Sequence, residues 1–153
     1  MKRKISEISS LINKKISSKE LNKNNYISTE NMLSNFRGIT KATSIPVGNV
    51  IEFLKGDILL SNIRPYFKKI WFSNNYGGCS NDVLVIRANN HVNGKYLYYA
   101  LNSNEFIDYY VASCKGTKMP RGSKNALLDW KVDVPNIDVQ QHIVNNRRIK
   151  YVS

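Results

Sequence analysis

Acidic side chains are scarce in this chain: 11 aspartates and glutamates face 23 lysines and arginines, a formal net charge of +12 over 153 residues. A compact domain this basic repels itself, so the imbalance implies an anionic partner, either nucleic acid or an anionic membrane surface. Long hydrophobic runs are missing as well. No apolar stretch approaches the roughly 18–20 residues that a spanning helix needs. The opening segment MKRKISEISSLINKKISSKE is basic but has no continuous apolar core, so it does not read as a secretory signal. Neither end carries a lipidation pattern. The membrane is thereby excluded as the anionic partner, and a cytoplasmic location is expected.

Cysteine and histidine are rare too. The two cysteines, Cys79 and Cys114, fit a reducing compartment and exclude a disulfide framework. They lack metal-ligand spacing, and His91 and His142 are remote from them in sequence, so no zinc site is expected. Catalytic patterns fail in the same way. Glu52, Asp57, Asp82 and Glu105 are scattered rather than paired. Ser80 and Ser123 have no evident base, and His91 reads as a loop residue. Cys79 reads as a small buried residue before it reads as a nucleophile. Asn62–Tyr66, NIRPY, lacks the residues that would make it the Asn/Asp-Pro-Pro-Tyr motif of amino-methyltransferases. Gly116 and Gly122 have the wrong spacing for a nucleotide phosphate loop, and Ser123 precedes Lys124 rather than following it. No enzymatic activity and no cofactor are expected.

What is present is enough apolar residue, 42%, for one folded domain of modest core. Ile5, Ile8, Leu11, Ile12 and Ile16 recur at helical spacing within residues 1–21, diluted by serine and lysine. Ser28 or Thr29 before Glu30 predicts one or two helical turns, ended by Gly38. Val50–Phe53, Ile58–Leu60, Ile70–Phe72 and Val83–Ile86 are predicted strands, the last covered on both faces. Gly77-Gly78 predicts a tight turn. Lys95–Leu101 and Asn104–Ser113 are predicted helices with a kink at 102–104. A short segment Lys124–Trp130, a strand Val132–Val134 and a helix stub after Pro135 complete a mixed α+β domain with irregular β-structure. Tyr96, Tyr98, Tyr99, Tyr109 and Tyr110 read as helix-to-sheet packing, with base stacking the alternative.

Two basic loops carry the functional signal. The first connects two apolar runs and holds Asn62, Arg64, Tyr66, Lys68 and Lys69, with Pro65 stiffening its start. The second, KGTKMPRG at Lys115–Gly122, holds Lys115, Lys118 and Arg121, with Lys124 just beyond it. Arginine can fork onto guanine or phosphate, lysine supplies a point charge, and glycine lets a backbone approach a phosphate. A solvated basic hairpin is the plain alternative for the first loop. Arg64 and Arg121 are the candidates for forked contacts. Lys68, Lys69, Lys115, Lys118 and Lys124 are the candidates for phosphates, with Asn62 and Tyr66 as lesser DNA contacts.

Several segments in order resemble the target-recognition domain of the specificity subunit of type I restriction-modification systems. They are Tyr26-Ile27-Ser28-Thr29-Glu30-Asn31-Met32, KGDILLSNIRPYFKK, GGCSNDVLVIR, YLYYALNS, GTKMPRG, and Val134-Pro135 followed by Gln140-Gln141-His142-Ile143. Related domains occur in fused type II restriction-methylation enzymes. The resemblance implies a non-catalytic reader of double-stranded DNA. Methylation and cleavage would belong to a modification (methyltransferase) subunit and, through it, a restriction subunit, and any base flipping would fall to the modification subunit. It implies a recognition domain over 1–135 and, over 136–153, the start of a spacer and dimerisation helix that stops short of the family's full length. A half-subunit homodimer and a silent cassette are both open. Rival readings from composition are a non-specific RNA- or single-strand-binding module and a metal-dependent nuclease.

Overall fold

The computed structural model describes residues 1–116 and 118–152, with only the backbone described over 148–152. Thr117, inside the second basic loop, and Ser153, at the end of the expected spacer helix, lie outside the described residues. The chain runs β1 (Lys2–Lys4), α1 (Ile5–Ile8), β2 (Ser9–Ile12), β3 (Lys15–Ser17), β4 (Tyr26–Ile27), β5 (Asn49–Phe53), β6 (Ile58–Ser61), β7 (Ile70–Phe72), β8 (Gly77–Cys79) and β9 (Val83–Ala88). It continues with α2 (Gly94–Leu101), α3 (Asn104–Ala112), α4 (Lys124–Asp129), β10 (Lys131–Asp133) and α5 (Ile137–Val152). The strands form an antiparallel sheet ordered β2-β9-β6-β7, a second sheet ordered β3-β5-β8-β4, and a small β1-β10 ribbon. In the second sheet β4 runs parallel to β8.

The middle of the first sheet is apolar on both faces because both are covered. Ile58, Leu60, Leu84 and Ile86 turn toward Leu97, Leu101, Phe106, Ile107 and Tyr110 of α2 and α3. Leu59, Val83 and Val85 turn the other way, onto Ile27, Phe53 and Cys79 of the second sheet. The result is three layers: helices, sheet, sheet. The expected covering of Val83–Ile86 on both faces is therefore present. The five tyrosines pack as structure. Tyr99 and Tyr110 are buried, Tyr96 donates its hydroxyl to the Asp133 carbonyl at 2.7 Å, Tyr109 donates to the Ala126 carbonyl at 2.8 Å, and the Tyr98 ring lies 5.6 Å from Phe72.

Four local expectations are corrected. Residues 1–21 are not one helix: Ile5–Ile8 makes a turn, Ser9 already has extended backbone at φ −154°, and a separate 3₁₀ turn follows at Ser18–Glu20. Leu11 and Ile12 pair instead with Ile86 and Val85, so long-range strand pairing overrides a local period that β-branched isoleucines support poorly. Residues 28–38 form turns rather than a helix. Buried Asn31 organises them, accepting from the Ser28 amide at 2.6 Å and donating to the carbonyls of Tyr26 and Thr40 at 3.0 Å each. Gly77-Gly78 is strand, not turn. The glycines are needed for close approach: a Cβ on Gly77 would stand 2.0 Å from the Asn25 carbonyl, and one on Gly78 2.6 Å from a Val50 methyl. The kink at 102–104 is a complete break, where α2 ends at Leu101 with Asn102 as its C-cap and Ser103 caps α3 by accepting from the Phe106 amide at 3.2 Å.

Candidate nucleic-acid interface

Loop positions are fixed by the elements beneath them. The first basic loop, residues 62–69, joins the antiparallel pair β6 and β7. It contains a single 3₁₀ turn, Pro65–Phe67, flanked by left-handed residues Arg64 (φ 47°) and Lys68 (φ 58°). Proline suits the first helical position because it has no amide to satisfy. The second loop is pinched shut by Lys115 and Arg121, whose backbones exchange hydrogen bonds of 3.1 and 3.0 Å.

The two loops, far apart in sequence, form one surface. Ile63 bridges to Arg121, and the Arg64 amide donates to the Pro120 carbonyl at 2.8 Å. The Arg64 guanidinium donates from Nη2 to the Lys118 carbonyl at 3.1 Å and from Nε at 3.4 Å. Beneath them sits Tyr110, fully buried and stacked on Phe106 with centroids 5.5 Å apart. Its hydroxyl donates to Asn62 Oδ1. Burial pushes the Tyr110 phenol well above its ordinary range, which keeps that hydroxyl a donor. A Cβ at Gly122 would fall 2.1 Å from Tyr110 Cζ, so glycine is what lets the second loop lie on the ring.

Each expected contact residue can now be located. Arg64, Tyr66, Lys115, Lys118, Arg121 and Lys124 are exposed. Arg121 donates from Nη2 to Asp82 at 3.0 Å. Lys124 occupies the first turn of α4, which Ser123 caps by accepting from the Ala126 amide at 3.1 Å. Lys68 and Lys69 are half-buried. The Lys68 ammonium lies 5.7 Å from the Phe36 ring centre, and Lys69 donates to the Thr29 carbonyl at 2.6 Å. Asn62 is half-buried: besides its side chain accepting from Tyr110, its backbone amide donates to the Asp82 carbonyl at 2.8 Å and its carbonyl accepts from the Gly122 amide at 3.2 Å. Its contacts join the loops to the core.

A third segment escaped the sequence reading. Asn35 (φ 59°) and Phe36 (φ 62°) are successive left-handed residues. Their amides donate to the carbonyls of Phe67 and Lys68 at 2.9 and 2.8 Å. The turn brings exposed Arg37 beside the first loop, with its Nε donating to the Ser34 carbonyl at 2.9 Å. The available signal was an arginine before Gly38 in a polar turn. Among the described residues, every non-glycine residue with positive φ lies in this turn or the first loop. Such conformations cost energy, and clusters of them mark functional surfaces.

The enzymatic candidates do not converge here. Cys79 is fully buried and burial pushes its thiol up to about 12, far from a reactive thiolate. Asp57 is committed to Arg87, with Nε and Nη2 each donating at 2.8 Å. Two adjoining clefts of about 380 and 650 Å³, sharing Lys55, Phe72 and Lys95, open at the other end of β6 and β7. No helix among the described residues is long and apolar enough to cross a membrane.

Comparison with known proteins agrees with this geometry. Residues 1–146 match the family described as type I restriction modification DNA specificity domain. The chain is 30% identical over 99 residues, 65% of its length and 21% of the relative's, to the type I restriction enzyme EcoDI specificity subunit of Escherichia coli. In fold it is similar to the HsdS subunit from Thermoanaerobacter tengcongensis, at 19% identity and TM-score 0.73, covering 99% of this chain and 43% of that one. It is similar also to the type I restriction-modification S subunit from M. genitalium, at 18% identity and TM-score 0.67, covering 97% and 38%. The chain thus spans less than half the length of these relatives. Match, order of segments and fold together place it: the chain belongs to the type I restriction modification DNA specificity domain family.

Proposed function

We propose that this chain recognises a short sequence in double-stranded DNA. It would act as the specificity subunit or half-subunit of a type I restriction-modification complex, in the cytoplasm where that DNA lies. The observation that carries this reading is the union of the two basic loops through Arg64, Lys118, Pro120 and Arg121 on a support locked by Tyr110. Lys68, Lys69, Lys115, Lys118 and Lys124 anchor phosphates, and Arg64 and Arg121 fork onto base edges or phosphates. Asn62 and Tyr66 act at the same surface, Asn62 by holding it together.

The chain contributes recognition, and the methyltransferase and restriction subunits contribute the chemistry. Residues 1–135 form the reading unit and 136–153 belong to a spacer helix, with a homodimer as one way to read a two-part site. The start of α5 docks firmly: buried Gln140 accepts from the Asn93 amide and donates to the Pro135 carbonyl, both at 2.7 Å. A helix held this way at its base can transmit a fixed orientation to a partner.

The test is titration of a selected duplex at fixed salt. Arg64→Ala and Arg121→Ala are each expected to weaken binding by about 1–3 kcal/mol, roughly fivefold to 150-fold. Lys95→Ala, at the far end of the sheet, leaves it unchanged. Wild-type affinity and sequence preference in both arginine variants would remove these loops from the interface.

A further inference from the structure

We propose that Tyr66, Phe67 and Met119 form an apolar wedge that enters the base stack of the bound duplex and kinks it at one step. The proposal rests on the DNA-recognition reading and adds a mode of readout that charge alone does not supply.

Single exposed apolar side chains are ordinary, and Val47 and Tyr76 are more exposed than these three, but apolar side chains grouped on adjoining loops call for an occupant. Here Tyr66 is 45% exposed, Phe67 42% and Met119 49%. The first two rings meet edge-on with centroids 4.9 Å apart, so they project as one block. Met119 sits on the adjoining loop between Lys118, whose carbonyl accepts from the Arg64 side chain, and Pro120, whose carbonyl accepts from the Arg64 amide.

The support is stiff. Pro65 is buried, both ends of the turn are left-handed, and the Phe67 and Lys68 carbonyls are held by the Asn35 and Phe36 amides. A side chain that must separate stacked bases needs such backing, because a mobile loop would fold away. Charge complementarity identifies the occupant. Arg64, Lys68 and Lys69 flank Tyr66 and Phe67 in the first loop, Lys118 and Arg121 flank Met119 in the second, and the Lys69 ammonium lies 5.7 Å from the Phe67 ring centre. A ligand with an anionic rim and an apolar interior fits that pattern, and a DNA base step between two phosphates is such a ligand. Apolar wedges kink duplexes in this way, most easily at pyrimidine–purine steps that unstack at low cost.

The experiment uses the full chain and selected duplexes in which 2-aminopurine replaces each base in turn, with donor and acceptor dyes at the ends of a parallel set. Wild type is expected to raise 2-aminopurine fluorescence severalfold at one pyrimidine–purine step and to shorten the end-to-end distance. Tyr66→Ala/Phe67→Ala should abolish both signals and weaken binding by about tenfold or more, with the salt slope of binding unchanged. Tyr66→Phe/Phe67→Leu, which retains apolar volume, should restore both. Specific binding by wild type without either signal would overturn the wedge while leaving the recognition reading intact, as would signals that persist in the double alanine variant. Loss of binding to the modification subunit, with DNA binding and both signals unchanged, would assign the patch to a protein partner instead. Absence of any specific DNA binding would overturn both readings.

Discussion

Asp57→Ala is expected to lower the unfolding free energy by about 3 kcal/mol, the low end of the range for removing one partner of a buried ion pair. The Asp57 side chain is 2% exposed and meets Arg87 on the neighbouring strand β9. Its Oδ2 also accepts from the Leu54 amide at 2.8 Å, closing the turn in which Gly56 has φ +90°. One carboxylate therefore fixes the β5–β6 turn and ties it to the central sheet pair. Donating to Asp57 raises the Arg87 guanidinium above its ordinary value, and even without that partner an arginine does not deprotonate near neutral pH, so Asp57→Ala leaves its charge uncompensated. Arg87 is 35% exposed and can find some water, which keeps the cost from the top of the range. Asp57→Asn, which preserves most of the hydrogen-bonding shape, should cost about half as much. Urea unfolding with an unchanged slope measures both. A change under about 1 kcal/mol for the alanine variant would show that this pair is incidental to the fold.

The second large effect is ionic. Raising monovalent salt from 50 to 200 mM is expected to weaken binding to duplex DNA on the order of a thousandfold, which corresponds to about six phosphates neutralised. The loops and α4 supply Arg64, Lys68, Lys69, Lys115, Lys118, Arg121 and Lys124 for that role, and among the described residues Arg121 is the one of these seven that carries an ion pair to a carboxylate. Each lysine removed should flatten the log–log slope by roughly one unit and weaken all duplexes alike, whereas an arginine that reads a base should also change sequence preference. A slope near one or two would mean that few of these cations reach the backbone. Titrations at four salt concentrations with selected and scrambled duplexes separate the two behaviours.

Much of the fold was legible because its central strands are buried on both faces. Ile58–Leu60 and Val83–Ile86 are short unbroken apolar runs, and such runs have few alternatives to a covered strand. Helices α2 and α3 were legible from their apolar period, whereas the capping serines Ser103 and Ser123 that start α3 and α4 emerge only in the structure. What misled was local pattern under long-range control. Ile5, Ile8 and Ile12 keep helical spacing, yet strand β9 claims Ser9–Ile12 from more than seventy residues away. Gly77 and Gly78 look like a turn in sequence, but only the structure shows Asn25 and Val50 pressed against them.

The candidate site shows the same division. Both basic loops stood out by composition, because lysine and arginine cluster there beside proline and glycine. Their union did not, since it depends on backbone bonds such as Arg64 to Pro120 and on a tyrosine that looked like ordinary helix packing. Arg37 escaped because its approach depends on two left-handed residues, Asn35 and Phe36, that no pattern announces. Asp57 was passed over as one of several scattered acids, although its arginine partner lies one strand away.

The most direct test of DNA reading is selection from a pool of random duplexes by the chain alone at moderate salt, followed by sequencing of the bound fraction. A short enriched motif of a few base pairs, lost when Arg64 and Arg121 are both replaced by alanine, is the expected result. Salt-sensitive binding with no enriched motif would contradict sequence recognition and leave a basic surface that holds DNA without reading it.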